Sequence, residues 1–343
     1  MQNQSRDELL DNIINVFSKQ AEVREITLFG SNADDTKDYY SDIDIRIHSN
    51  DLFSTQSKYL QLLGGISPVL ETLVIQSDQK NLAQMIMLRD YSPYHKIDFG
   101  ICSGPCVFTP SLSVYKNVNA AFNESKLQIL PITNDVKYGL DYLLFRVPRI
   151  TKCFFRKDMK GYIKWQETVN LMLGLFFEKY HTYKKISHMN SFSRRRITNL
   201  YSLLNDTDKK VFDKVLPHSG DLNLADSFLA ALKLIITISK DKAAHFDIAL
   251  NEEFITSIEE FCAEECNKLS EVELLREYWT IPLDKIDIMF QYNQITHPQF
   301  DPIHPGESFY LCPSACTRAR RRAKRRVVEL IFFVFTQIYK TTF

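Results

Sequence analysis

Apolar residues recur with two different periods along the first 130 residues. Between residues 6 and 20, Leu9, Leu10, Ile13, Ile14 and Phe17 fall at helical spacing. Ser5 followed by Glu8 has the form of a capping box at the start of that helix. From Glu25 to Phe29, and again from Asp42 to His48, the period drops to two, which predicts strands. A polar loop, NADDTKDYY, joins them after Gly30-Ser31. A second helix is expected over Leu52–Leu63, stopped by Gly64-Gly65. Three β-rich runs follow: Val69–Gln76, Leu82–Arg89 and Lys96–Ile101. The last two are separated by the turn formers of DYSPYH. This half reads as a small mixed α/β domain with hairpins.

From Asp135 the period changes to 3.6. Tyr138, Tyr142 and Phe145 share one helix face, and apolar periodic runs continue through 159–180 and 222–250. This predicts a helical bundle, with one more helix over Leu274–Tyr292. Past Thr296 the texture breaks into a proline-rich stretch, then the basic run RARRRAKRR, then an apolar end. The expected organisation is 1–134, 135–296 and a loosely ordered or appended tail at 297–343. The fold class is α+β.

Charge and cysteine content narrow the function. The chain holds 42 basic and 42 acidic residues, so it is not a generally basic nucleic-acid binder. Residues 1–134 carry a net charge of −5, and the remainder is −2 once the basic run is set aside. That balance suits a cationic small molecule better than a polyanion. Only the basic run offers a face for nucleic acid, an acidic membrane surface or a partner, with an unselected, solvated extension as the competing reading. Seven cysteines with no secretory leader point to a reducing cytoplasm, and no 18-residue apolar stretch predicts a membrane span.

The chemistry concentrates in Phe29-Gly30-Ser31 … Ser41-Asp42-Ile43-Asp44. Asp42 and Asp44 lie two apart on a strand and share a face, while Ile43, Ile45 and Ile47 point to the core. Two carboxylates about 6–7 Å apart repel unless a cation lies between them. An all-oxygen set favours Mg²⁺, expected as two ions. Asp98, in the alternating run KIDFGI, joins them if its strand lies beside Asp42–His48. Gly30 allows a backbone to approach phosphate, and Ser31 can donate to it. Such a set suits in-line nucleotidyl transfer. Asp-x-Asp alone is often a solvated face. Combined with Gly-Ser ten residues earlier, it arises by chance in roughly one chain of several hundred.

The run GSNADDTKDYYSDIDI resembles the signature of polymerase-beta-like nucleotidyltransferases. The order LETLVIQSDQ, LAQMIMLRD, KIDFGI is similar to aminoglycoside 6-adenylyltransferases, the streptomycin-modifying enzymes. So is the helical stretch from Phe145 through Pro148, Lys152 and Arg156 to Asp158, although Phe145 and Asp158 replace that family's tryptophan and glutamate. The resemblance spans about residues 5–250. It implies ATP, Mg²⁺, an acceptor hydroxyl and release of pyrophosphate. Gly30 and Ser31 would hold the triphosphate. Asp42 and Asp44 would ligate metal, and Asp98 would ligate metal, take the acceptor proton, or both. Lys152 and Arg156, one turn apart, would reach the phosphates, with a solvated basic face as the competing reading. An aminoglycoside is the leading acceptor. A lincosamide, a protein or tRNA, and an inactive nucleotide-binding module are the alternatives.

Weaker signals remain. Glu167 reads as a surface residue sooner than a general base. Cys-x3-Cys recurs at Cys102/Cys106, Cys262/Cys266 and Cys312/Cys316, with His297 and His304 before the last pair. Coincidence is a better account of that tail set than zinc. His48 and His95 flank the metal strands but are expected to be structural, because hard Mg²⁺ prefers oxygen.

Overall fold

Five of the six strands in the main sheet arise from the alternating runs. The computed structural model describes residues 5–34, 36–104, 110–133, 135–156, 159–180, 201–202, 204–216, 221–271 and 280–282. Helix α1 (Arg6–Ser18) starts where the capping box predicts, with the Ser5 hydroxyl accepting from the Glu8 N–H at 3.1 Å. Strands β1 (Val23–Phe29) and β2 (Ile43–Ser49) are antiparallel. Helix α2 (Leu52–Gly64), capped by Asp51, leads to β3 (Val69–Ser77), β4 (Asn81–Leu88) and β5 (Ile97–Cys102). The sheet order is β3-β4-β5-β2-β1-β6, and β2 with β5 is its parallel pair. A parallel pair needs a long crossover, here supplied by α2, β3 and β4.

Ile43, Ile45 and Ile47 are fully buried with Leu9, Ile13 and Phe17 of α1 and Leu63 of α2. Phe99 on β5 packs between Phe17 and the stacked ring of Tyr59. This apolar layer leaves the opposite face of β2 and β5 for polar side chains. The edge strand β6 (Ser111–Lys116), antiparallel to β1, was not expected from the sequence. Its residues are largely exposed.

Helix α3 (Val136–Phe155) begins at Asp135, whose carboxylate accepts from the Tyr138 N–H at 2.8 Å. It is followed by α4 (Met159–Tyr180), α5 (Asp206–Val215), α6 (Leu224–His245) and α7 (Glu252–Glu271). Helix α6 runs through the middle and packs on α3, α4, α5 and α7. Trp165 is fully buried there, with its indole N–H donating to Ser227 at 2.7 Å. The helical core also takes in Leu70, Leu73, Met85 and Met87 from β3 and β4. The helices therefore pack directly on the sheet, and α3 is fixed relative to β2 and β5.

One helix expectation fails in part. Within Leu274–Tyr292, residues Thr280–Pro282 form strand β8, paired with β7 (Asp221–Asn223). Pro282 disfavours the helical conformation at Ile281, and Thr280 and Ile281 are β-branched. The tail at 297–343, with its basic run, four tail zinc candidates and apolar end, lies outside the described residues. Among the described residues no helix is long and apolar enough to cross a membrane.

Candidate active site

The turn after β1 is shaped by one glycine. Gly30 has φ +59° and opens a short 3-10 turn, Gly30–Asn32, with its carbonyl accepting from the Ala33 N–H at 2.9 Å. A Cβ there would lie 2.5 Å from Asp44 Oδ2. The turn can therefore press against Asp44 only because residue 30 has no side chain. Ser31 Oγ is buried beside it, with no hydrogen-bond partner among the described residues. Such an atom needs a partner beyond the described residues to offset its desolvation, and a ligand oxygen would serve. Gly30→Ala is expected to cost about 1–2 kcal/mol from the left-handed backbone alone, to displace Asp44, and to reduce nucleotide affinity. Urea unfolding and ATP-binding calorimetry check both effects.

Arg6, on α1, ties the loop to the strand. Its guanidinium donates to the carbonyls of Ser41 at 3.0 Å and Asp42 at 3.1 Å and to the Asn32 side chain. It thereby sets the backbone at Asp42, just before β2. This role was missed in the sequence, where Arg6 is simply a charge in the first turn of a helix.

The parallel register pairs Asp44 with Asp98 on adjacent strands. This is the juxtaposition on which the three-carboxylate reading depended. Between Asp98 and Asp42 the structure places a residue that the sequence reading passed over. Lys96 Nζ lies 2.6 Å from Asp98 Oδ1 and 3.1 Å from Asp42 Oδ2, and its side chain is 5% exposed. Lys152 reaches down from α3 to within 3.3 Å of Asp42 Oδ1. Three carboxylates thus meet two ammonium groups.

Their protonation follows from these neighbours. Burial opposes ionisation of Asp42, but Lys96 and Lys152 outweigh it and hold the carboxyl well below the usual range. Asp44 has no hydrogen-bonding or ion-paired cation among the described residues. Burial, then the charges of Asp42 and Asp98, push its carboxyl up to about 7. Burial would lower the Lys96 pKa, but Asp98 and Asp42 overcome it and raise it. Among the described residues no trio of His, Cys, Asp and Glu side chains forms a ready-made metal cage; an ammonium stands between two of the carboxylates instead. The oxygen donors of Asp42 and Asp44 nonetheless fit a hard divalent ion, and Asp44 is the one of the three carboxylates with no direct ion pair among the described residues.

The remaining sequence-predicted residues divide. Arg156, at the end of α3, is drawn to Asp38 in the β1–β2 loop, with Nε at 3.0 Å from Oδ2. Tyr40 of that loop stacks on Phe155 at 5.3 Å. Arg156 therefore fastens the loop and does not touch the carboxylates. Glu167 is paired with Lys164 at 2.7 Å and Arg146 at 3.2 Å, which leaves it no free charge to offer. His48 accepts or donates at Thr27, 2.9 Å away, and His95 lies 3.2 Å from the Tyr39 carbonyl. Both are buried structural groups. Cys262 and Cys266 are buried with their sulfurs 3.9 Å apart on α7. Cys106 and Asp158 lie outside the described residues.

The chain matches the family "Polymerase beta, Nucleotidyltransferase" over residues 11–88. No curated protein matches it. Among solved structures it is similar to the crystal structure of an aminoglycoside 6-adenyltransferase from Bacillus subtilis. That similarity has a TM-score of 0.27 and 13% identity, and covers 76% of this chain and 98% of that one. The chain is thus an α+β protein with a polymerase-beta-like nucleotidyltransferase domain, followed by a helical C-terminal region. The matched segment carries Gly30, Ser31, Asp42 and Asp44, and Asp98 lies beyond its end.

Proposed function

We propose that the protein transfers AMP from ATP to a hydroxyl of a small acceptor and releases pyrophosphate. The observation that carries this reading is the pairing of Asp44 with Asp98 across β2 and β5, beside Asp42 and below the Gly30-Ser31 turn. Asp42 and Asp44 would hold Mg²⁺. When bound, the ion offsets triphosphate charge and charge developing at the reacting phosphorus. Ser31 Oγ, buried with no partner among the described residues, donates to a phosphate oxygen. Lys152 supplies positive charge where pyrophosphate departs.

The acceptor oxygen attacks the α-phosphorus as the bond to the bridging oxygen of the β-phosphate breaks. Pyrophosphate leaves with that electron pair, and the hydroxyl proton passes to Asp98. Of the two carboxylates that Lys96 bridges, Asp98 is the more open, at 34% exposure against 17% for Asp42. Its Oδ1 accepts from Lys96, so Oδ2 is the oxygen proposed to take the proton.

An aminoglycoside such as streptomycin is the acceptor proposed. Its support is the motif resemblance that begins at Phe145, on the helix that brings Lys152 to Asp42. A cationic acceptor also suits the mildly acidic charge of the chain apart from its basic run. The test is pyrophosphate release with ATP and Mg²⁺ across aminoglycosides, a lincosamide, tRNA and protein. Aminoglycoside-dependent release is expected. Release driven only by a macromolecule would overturn the acceptor assignment, and no release with any acceptor would count against transferase activity itself.

A further inference from the structure

We propose that the Lys96 ammonium permanently takes the place of a second divalent cation, so that the site binds one metal ion with its nucleotide. The inference rests on the proposed nucleotidyl-transfer reading and departs from the two ions expected from the sequence. A metal shared by Asp42 and Asp98 would need an oxygen from each at about 2.0–2.1 Å if it were Mg²⁺. Lys96 Nζ already stands between those side chains, 3.1 Å from Asp42 Oδ2 and 2.6 Å from Asp98 Oδ1.

Lys96 is not a surface side chain that can swing aside freely. It is 5% exposed, and its own carbonyl accepts from the Ile43 N–H at 3.0 Å, which locks its backbone to the start of β2. Moving it out would leave two carboxylates facing each other without their shared cation. Lys96 already gives the Asp42–Asp98 pair a shared positive charge, and Lys152 is a second cation on Asp42, so a metal ion placed between those two carboxylates would sit directly against an ammonium. Asp44, with no such partner, is the side on which the single ion is held. Lys96 is therefore a positioning residue that fixes Asp42 and Asp98 and supplies charge.

Counting bound Mn²⁺ by electron paramagnetic resonance, with saturating α,β-methylene-ATP and the full chain, tests this without relying on turnover. The native protein is expected to bind one Mn²⁺ per chain. Lys96→Met, which keeps length but removes charge, is expected to bind two, and Lys96→Arg one. Two ions in the native protein, or one in a folded Lys96→Met, would overturn the inference. If Lys96→Met does not fold, the native and Lys96→Arg counts decide: one in each supports it and two in either overturns it. A native count of zero would sink the metal-dependent transferase reading as well, so the two failures are distinguishable.

Discussion

Replacing Asp44 with Asn is expected to stabilise the metal-free protein at pH 8 while reducing nucleotidyl transfer about a thousandfold or more, since metal binding contributes several kcal/mol to transfer. The stability effect has a definite sign. The folded-state Asp44 carboxyl is pushed up to about 7 by burial and by Asp42 and Asp98, against about 3.9 for an unperturbed Asp. The folded state therefore holds that proton more tightly than the unfolded chain does. The associated stability is fully present below about pH 4 and is lost as pH rises through 7. Asn removes the penalty, a difference on the order of 2–4 kcal/mol at pH 8. Urea unfolding in EDTA at pH 5 and pH 8 reads it directly: the native-minus-variant difference must widen at the higher pH. Equal differences at both values would mean that Asp44 is not strained by its neighbours.

Asp98→Asn should separate chemistry from binding. Asp98 comes from β5, across from the Asp42–Asp44 strand, and is the more open of the two carboxylates that Lys96 bridges. Loss of a proton acceptor typically reduces turnover by about 10²–10⁴-fold, and the Mg-ATP dissociation constant should stay within a few-fold. Asp44→Asn should weaken both. Calorimetric titration of Mg-ATP beside a pyrophosphate-release assay makes the comparison. If Asp98→Asn loses ATP affinity as badly as Asp44→Asn, the division of roles is wrong. If it loses neither, Asp98 takes no part in the reaction.

The parts of the fold legible in the sequence are those where one face is buried and the other is not. Ile43, Ile45 and Ile47 alternate with polar residues because α1 and α2 cover one face of β2. That alternation also revealed the shared face of Asp42 and Asp44. Strand β6 alternates only briefly, Leu112 and Val114 against Ser111 and Ser113; both apolar residues are exposed, at 47% and 36%, and a register shift opposite Ile26 and Thr27 interrupts the pairing with β1. Helix α7 was overlooked although Phe254, Ile255, Ile258, Cys262, Cys266 and Leu269 keep helical spacing, because cysteines fill part of the stripe among many glutamates. Lys96 stands two residues before Asp98, the same spacing that placed Asp42 with Asp44, so a sequence signal did exist. A strand-end lysine ordinarily reads as solvent-exposed, and only the register with β2 reveals the carboxylates on both sides of it. The long-range work of Arg6, 35 residues from the Ser41 carbonyl it binds, has no local signature. Nor did spacing alone distinguish Lys152 from Arg156. They share a helix face, but the first meets Asp42 and the second meets Asp38.

The central claim is that Asp42 and Asp44 carry nucleotidyl transfer. Its most direct test is pyrophosphate release from ATP and Mg²⁺, with the best acceptor, by the full-length Asp42→Asn/Asp44→Asn double variant beside the native protein. Circular dichroism and urea midpoints serve as the control for folding. Release is predicted to fall to background in a variant at least as well folded as the native chain. A folded double variant that releases pyrophosphate at the native rate would contradict the account.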